Sequence, residues 1–335
     1  EAAQAGIEPL LTATGLYYGE GNDVAEFAWW TGAGNDGDPA NPENWTCVNA
    51  RGDEIEDGLP SSSTIVYLGG DTASEITLRP SAGYDVTPSK CVVSNCTLAA
   101  DCDWRGADSL FGGFVAANTT LNMKGHSLYV KMPNSGSNRR INVTDDSPAG
   151  EGGEFHMEVD EGAMYANQGG WNSDNVIWFS GSVEVVKDGK GTYVPQYASD
   201  KKGLRYYQHT GGTTIRGGLV YLANDGENTS AGGEVYYAQS TRPVFGAYGS
   251  PITIEAGGTF DYKGIYDLSK YKMYMNGGTF TNTRMPKYPE WGTNGAIDFG
   301  ADSFINVART AHISGPFYLH GHTLNATIAA LGVFW

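Results

Sequence analysis

The chain has 335 residues, of which 47 are glycine and 14 proline, and 21 basic against 38 acidic side chains leave a formal net charge of −17. A surface that acidic repels a phosphate backbone, which argues against nucleic acid as a partner, and no stretch supplies the ~20 apolar residues of a membrane-spanning helix, which argues against membrane insertion. With 40% hydrophobic residues, glycine at about twice its usual ~7% signals many tight bends rather than disorder, and the missing Gly-X-Y period excludes collagen.

The opening EAAQAGIEPLLTATG lacks the basic start and apolar run of a signal peptide, so a secreted protein would carry this numbering from after its cleavage site. Residues 1–50 differ in composition from the rest: EFAWWTGAGNDGDPANPENW (26–45) sets Trp29, Trp30 and Trp45 around a Gly/Asn/Asp/Pro loop. We read 1–50 as an N-terminal cap or assembly segment and 51–335 as the body it covers. Asp36 and Asp38, in GAGNDGD, are the candidate ligands for a calcium ion, an oxygen-seeking cation; no cofactor is otherwise required. Cys47, Cys91, Cys96 and Cys102 are an even set without Cys-x-x-Cys spacing, so disulfides are expected over zinc, with all three pairings open and the cap stapled to the body.

Helical periodicity is nearly absent, whereas period-two alternation recurs along the chain: TLNMKGHSLYVKM (120–132), EFHMEV (154–159), VIWFSGSVEVV (176–186), TTIRGGLVYL (213–222), ITIEAGGTFDY (252–262), YMNGGTFTN (274–282), DSFINV (302–307) and FYLHGHTLNATI (317–328). Short runs rich in Thr, Val, Ile, Tyr and Phe and broken by Gly or Asn are β-strands. The glycine pairs at 257–258 and 277–278 stand twenty residues apart, about one turn of a parallel β-helix, in which alternate residues point inward and stack. The expectation is an all-β, single-stranded parallel β-helix, with a β-sandwich or jelly roll as the alternative.

Several residues offer chemistry. Glu154 and Glu158 share a strand face with His156, and Asp298 and Asp302 form a second acidic pair; glycoside hydrolysis needs two carboxyl groups at ~5–5.5 or ~6.5–9.5 Å. Acids on a chain this negative are first of all solvated strand faces, so no catalytic site is expected. His320 and His322, with His312 earlier, place imidazoles about 6.5–7 Å apart on one strand face, a spacing that suits a transition metal. The Gly-His-Ser-Leu phrase at 125–128 repeats Gly-His-Thr-Leu at 321–324 without a second histidine, and this favours a structural role. Tyr206, Tyr236, Tyr266, Tyr274 and Trp291 are candidates for stacking on glycans or a partner. Asn-x-Ser/Thr sequons stand at Asn44, Asn95, Asn118, Asn142, Asn228 and Asn325. The apolar tail with Leu324, Ile328, Leu331, Phe334 and Trp335, and Leu10, Leu11 and Leu16 at the other end, are candidates for head-to-tail self-association.

The stretch VVKDGKGTY…HTGGTTIRGGLVYLAN resembles the passenger-associated repeat of bacterial autotransporters through Lys187, Gly189, Gly191, Thr192, Thr210, Gly211, Gly212, Thr213, Thr214, Ile215, Gly218 and Leu219. Trp30-Thr-Gly-Ala-Gly34 and Asn44-Trp45 resemble the opening of large secreted β-helix proteins of bacteria. The resemblance implies a right-handed parallel β-helix outside the cell; the four cysteines depart from such passengers, which usually avoid them. The reading is therefore a secreted or cell-surface, non-enzymatic structural or adhesive protein, whose partners are further copies of itself in a filament or matrix, or surface glycans. The alternatives are a carbohydrate-active β-helix enzyme, lyase or glycoside hydrolase, and a glycan-binding module.

Overall fold

Period-two runs become strands in the computed structural model, which describes residues 24–69, 74–76, 90–93, 95–103, 105, 119–132, 140–167, 176–195, 207–221, 243–262, 268–283, 296–307, 310–311, 315–329 and 333–334. Within these residues the fold is all-β, its helical pieces being the single 3-10 turns Pro42–Asn44 and Leu268–Lys270.

A six-stranded sheet is ordered Ser74–Ile76, Cys96–Leu98, Thr119–Asn122, Arg140–Asp145, Val176–Gly181, Tyr207–His209. A nine-stranded sheet runs Cys102–Asp103, Leu128–Lys131, Glu154–Glu158, Glu184–Asp188, Gly212–Ile215, Pro251–Glu255, Lys272–Asn276, Ile297–Ala301, Phe317–Tyr318. A seven-stranded sheet runs Met164–Asn167, Thr192–Pro195, Gly218–Tyr221, Gly258–Asp261, Thr279–Asn282, Ser303–Val307, Leu324–Ile328. Thr310–Ala311 pairs with Val333–Phe334. In a four-stranded sheet, Phe27–Trp30 lies between Trp45–Val48 and Ile65–Leu68, followed by Lys90–Val93. Among the described strand pairs the only antiparallel one joins Phe27–Trp30 to Trp45–Val48; every other is parallel. Sandwiches and jelly rolls are built from antiparallel pairs, so that alternative does not describe these sheets.

Between Arg140 and Tyr221 chain order visits the three large sheets in turn. Arg140–Asp145, Glu154–Glu158 and Met164–Asn167 are followed by Val176–Gly181, Glu184–Asp188 and Thr192–Pro195, each lying parallel beside its predecessor. Thr259 is the register partner of Thr279, which sets the two glycine pairs side by side. Alternation then sorts the faces. Phe155, Phe179, Phe260, Phe280 and Phe299 are at most 1% exposed and point inward, with Phe155 meeting Phe179 at 5.2 Å and Phe260 meeting Phe280 at 5.8 Å. Each such ring contributes about 1.5–3 kcal/mol by leaving water.

The bends follow from local chemistry. Gly218 has φ +66°, and a Cβ there would sit 2.3 Å from the Gly191 carbonyl oxygen, so only glycine fits. Lys187 faces inward in register with Met157 and Ile215 and is 0% exposed. Its Nζ donates to the carbonyls of Asp188 (2.6 Å), Gly189 (3.0 Å) and Gly217 (3.0 Å), a cation closing one bend against the next. The two Gly-His phrases are one device. Lys124-Gly125 and His320-Gly321 both take positive φ, as a type I′ turn demands, and His126 N–H and His322 N–H close these turns onto Met123 and Leu319. In both, an aspartate accepts the next backbone N–H: Asp101 from Ser127 (2.9 Å) and Asp302 from Thr323 (2.7 Å).

The expected cap shares its sheet with the body, since Phe27–Trp30 pairs with Ile65–Leu68 across residue 50. Trp30 and Trp45 meet edge to face at 4.9 Å. The disulfide expectation is corrected for three of the four cysteines. Cys47, Cys96 and Cys102 are free thiols at most 2% exposed, each facing inward as a small apolar side chain. Burial pushes Cys47 up to about 11 and Cys96 up to about 12. Cys91 stands opposite Val66 in register, and its side chain lies outside the described residues.

Candidate functional site

The outward face of the nine-stranded sheet gathers most of the ionisable side chains with defined partners. Parallel register aligns Asp103, Tyr129, His156, Val186 and Thr214 in one cross-strand row. Glu154 and Glu184 flank that row on one side, Glu158 and Asp188 on the other.

His156 is the centre. It is 2% exposed and lies nearly parallel on the Tyr129 ring, 4.0 Å between centroids at 16°. Nδ1 is hydrogen-bonded to Asp188 Oδ2 at 2.6 Å. Nε2 lies 2.7 Å from Glu154 Oε2, close enough for an ion pair but out of line for a hydrogen bond, so that contact is electrostatic rather than directed. From the other side of Tyr129, the Arg105 guanidinium carbon stands 5.1 Å from the ring centroid, its Nε donates to Asp103 Oδ1 at 2.9 Å, and its Nη1 lies 3.5 Å from Glu158 Oε2. Burial acts to raise the Asp103 carboxyl, but the hydrogen bonds and charge of Arg105 outweigh it and hold it below the usual range. On the far side Arg216 Nε donates to Glu255 Oε2 at 2.9 Å, with Nη1 4.0 Å from Asp188. Glu184 accepts from Thr214 Oγ1 at 2.6 Å, yet burial first, with the Glu154 charge adding to it, pushes its carboxyl above the ordinary value.

Of the residues singled out from sequence, Glu154 and Glu158 do bracket His156, and their even spacing is what puts them there. Asp298 lies in the same outward row but five strands further along, about 24 Å at ~4.8 Å per strand, so the two acidic pairs do not form one site. Asp298 is paired with His320 Nε2, whereas Asp302 lies 3.8 Å from His322 Nδ1. The bend at His320-Gly321 separates the two imidazoles, which corrects the expectation that they share a strand face. No group of three or more His, Cys, Asp or Glu placed to hold a metal occurs among the described residues. Asp36 has both oxygens taken by N–H donors: Asp38 N and Asn44 Nδ2 on Oδ1, Asn41 Nδ2 on Oδ2, and these hold its carboxyl below the usual range. Asp38 Oδ1 accepts from Ala40 N at 2.8 Å. These aspartates knit the 31–45 loop around Asn44, itself 0% exposed.

Tyr274 is half-buried between Thr253 and Asp298 in the outward row. Tyr206, Tyr236, Tyr266, Trp291, His312, Leu10, Leu11, Leu16, Leu331 and Trp335 lie outside the described residues, as does the side chain of Phe334. Leu324 packs against the core, whereas Ile328 is 48% exposed. Sequence reasoning missed Tyr129 and Asp188 as partners of His156, and Arg105, Glu184 and Arg216 as the charged groups around them. Alternation puts Tyr129, Glu184 and Asp188 on an outward face, but no local signal matches them to strands about thirty residues away.

Comparison of this chain with family models, with curated proteins and with solved structures finds no match.

Proposed function

We propose that the chain is a right-handed parallel β-helix acting outside the cell as a non-enzymatic structural or adhesive rod. The observation that carries the reading is the passage through the six-, nine- and seven-stranded sheets in the same order three times between Arg140 and Tyr221, continued among the described residues from Pro251 by alternate visits to the nine- and seven-stranded sheets, each strand parallel to its predecessor in the same sheet. An elongated stack of this kind presents long walls for contact and builds stability from neighbour to neighbour. The outward charges support a structural role: Arg105 is closed on Asp103, Arg216 on Glu255, and His156 lies between two carboxylates. The acidic, Gly-rich composition and the resemblance to secreted passengers support the extracellular location.

Self-association follows from one end. Leu324, Ala326 and Ile328 continue the inward row of Ser303, Ile305 and Val307, yet Ile328 is 48% exposed where Val307 is 2%. Among the described residues no strand pairs with the outer edge of Leu324–Ile328, and an apolar row at such an edge is a template for another parallel strand, which a second copy would supply head to tail. Negative-stain microscopy and light scattering test this: rods that lengthen with concentration are expected for the wild type, and single particles for Ile328→Asp. Identical particles from both proteins at every concentration would defeat the assembly.

One observation favours the second reading, a carbohydrate-active enzyme. Glu184, with its carboxyl pushed upward, stands directly opposite Glu154 in register, and glycoside hydrolysis uses a protonated acid beside a carboxylate. Assays for reducing ends and unsaturated products on a polysaccharide panel decide between the two. Turnover lost in both Glu184→Gln and Glu154→Gln would replace the structural reading with the enzymatic one.

A further inference from the structure

We infer that the outward wall of the nine-stranded sheet contains a proton-operated latch, closed when a doubly protonated His156 bridges Glu154 and Asp188 and opened when the ring gives up one proton. The geometry sets a carboxylate beside each ring nitrogen. Carboxylate oxygens face both ring nitrogens, Asp188 at 2.6 Å and Glu154 at 2.7 Å, and an imidazole with a single N–H serves only one of them. The other contact would set a nitrogen lone pair of a ring that is 2% exposed against an oxygen lone pair.

Which arm releases is also set by geometry. Nδ1 and Asp188 are aligned as a hydrogen bond, while Nε2 and Glu154 have the distance without the direction. Loss of a proton therefore leaves Nδ1–H on Asp188 and frees Glu154. A freed Glu154 carboxylate stands beside Glu184, its cross-strand partner, and like charges directly opposite each other destabilise a strand pair.

The surrounding cations are closed on other carboxylates, and the Arg216 charge acts on Glu154 and Glu184 only from beyond ion-pair distance. Tyr129 and Lys131 come from the strand on one side, with Asp101, Asp103 and Arg105 beyond; Glu158 shares the strand of His156; Glu184 and Asp188 lie on the other side, with Arg216 and Glu255 beyond. Arg105 is held by Asp103 and Glu158, Lys131 by Asp160 at 2.9 Å, and Arg216 by Glu255, while Lys187 on the same strand faces inward. Among the described residues no arginine or lysine forms an ion pair with Glu154 or Glu184.

The raised Glu184 carboxyl acts in the same sense as the latch. A carboxyl raised in the folded state, as Glu184 is, binds more proton folded than unfolded, so its contribution is full below the ordinary value of ~4.3 and falls as pH rises. Protonation closes the wall and deprotonation opens it.

Hydrogen exchange followed by mass spectrometry, corrected for intrinsic rates, reads the latch in the intact chain at pH 5.5, 7 and 8.5. Protection of Glu154–Glu158 and Glu184–Asp188 is expected to fall about fivefold over that range, the equilibrium equivalent of a like-charged cross-strand pair, while Pro251–Glu255 stays constant. Glu154→Gln offers an amide donor to the unprotonated ring, and Glu184→Gln removes the facing charge, so both variants should lose that dependence and keep protection at pH 8.5. Protection independent of pH in the wild type, or an equal fall in wild type and both variants, overturns the latch.

Discussion

Replacing Lys187 by methionine keeps the length of the side chain and removes its cation. The Gly189 and Gly217 carbonyls lose the Nζ donor, whereas the Asp188 carbonyl keeps the Val159 N–H at 3.1 Å. A hydrogen bond to a charged group contributes about 1.5–3 kcal/mol, so losing the three from Nζ to the half-buried Asp188, Gly189 and Gly217 carbonyls amounts to about 5 kcal/mol. Against this, burial holds the ammonium down at about 8 from 10.5, which opposes folding at neutral pH by about 3 kcal/mol that the substitution relieves. The expected net loss is about 2 kcal/mol, read as a lower denaturation midpoint with exchange protection lost first at the bends around Gly189 and Gly217. The pH dependence is a second signature. A depressed lysine binds more proton unfolded than folded, so its penalty is full below about 8 and fades as pH rises toward 10.5. Wild-type stability should gain from this group through that window, and Lys187→Met should not. An unchanged midpoint together with an unchanged alkaline limb would refute the idea that this cation ties the bends together.

Asn44→Ala removes the donors to Asp36 and the Asp38 carbonyl and the acceptor of Gly34 N–H, so the 31–45 loop should loosen at a cost of about 2–3 kcal/mol, seen as a red shift of tryptophan emission from Trp30 and Trp45. His209 is 0% exposed and burial holds its imidazole down to about 3. The unfolded chain takes up that proton near 6.5, so stability should fall as pH drops from about 6.5 toward about 3, and His209→Met should flatten that acid limb in a thermal melt.

The wall described by these charges is arranged for mutual neutralisation. Tyr129 stacks with His156 and meets the Arg105 guanidinium, and four carboxylates from three neighbouring strands close around them. Cross-strand stacking and ion pairs of this kind join strands that the backbone ladder already holds, and they make the tie sensitive to protons and salt.

Much of this was legible in the residues themselves. Alternation identifies Glu154, His156 and Glu158 as one face and Phe155 and Met157 as the other, because a strand turns successive side chains to opposite sides. The repeated Gly-His phrase marks two equivalent turns because only certain residues accept positive φ there. What alternation cannot carry is register. Asp188 is 32 residues from His156 and Glu158 is 53 from Arg105, and the connections between those strands vary in length, so the partner opposite any outward side chain follows from how each bend closes. The cysteines show the same limit: an even count suggests staples, but inward-facing positions on separate strands turn Cys47, Cys96 and Cys102 into free core thiols. The pattern of faces is a property of the chain; the pairing of faces belongs to the folded molecule, since it depends on distances that exist only once the strands are stacked.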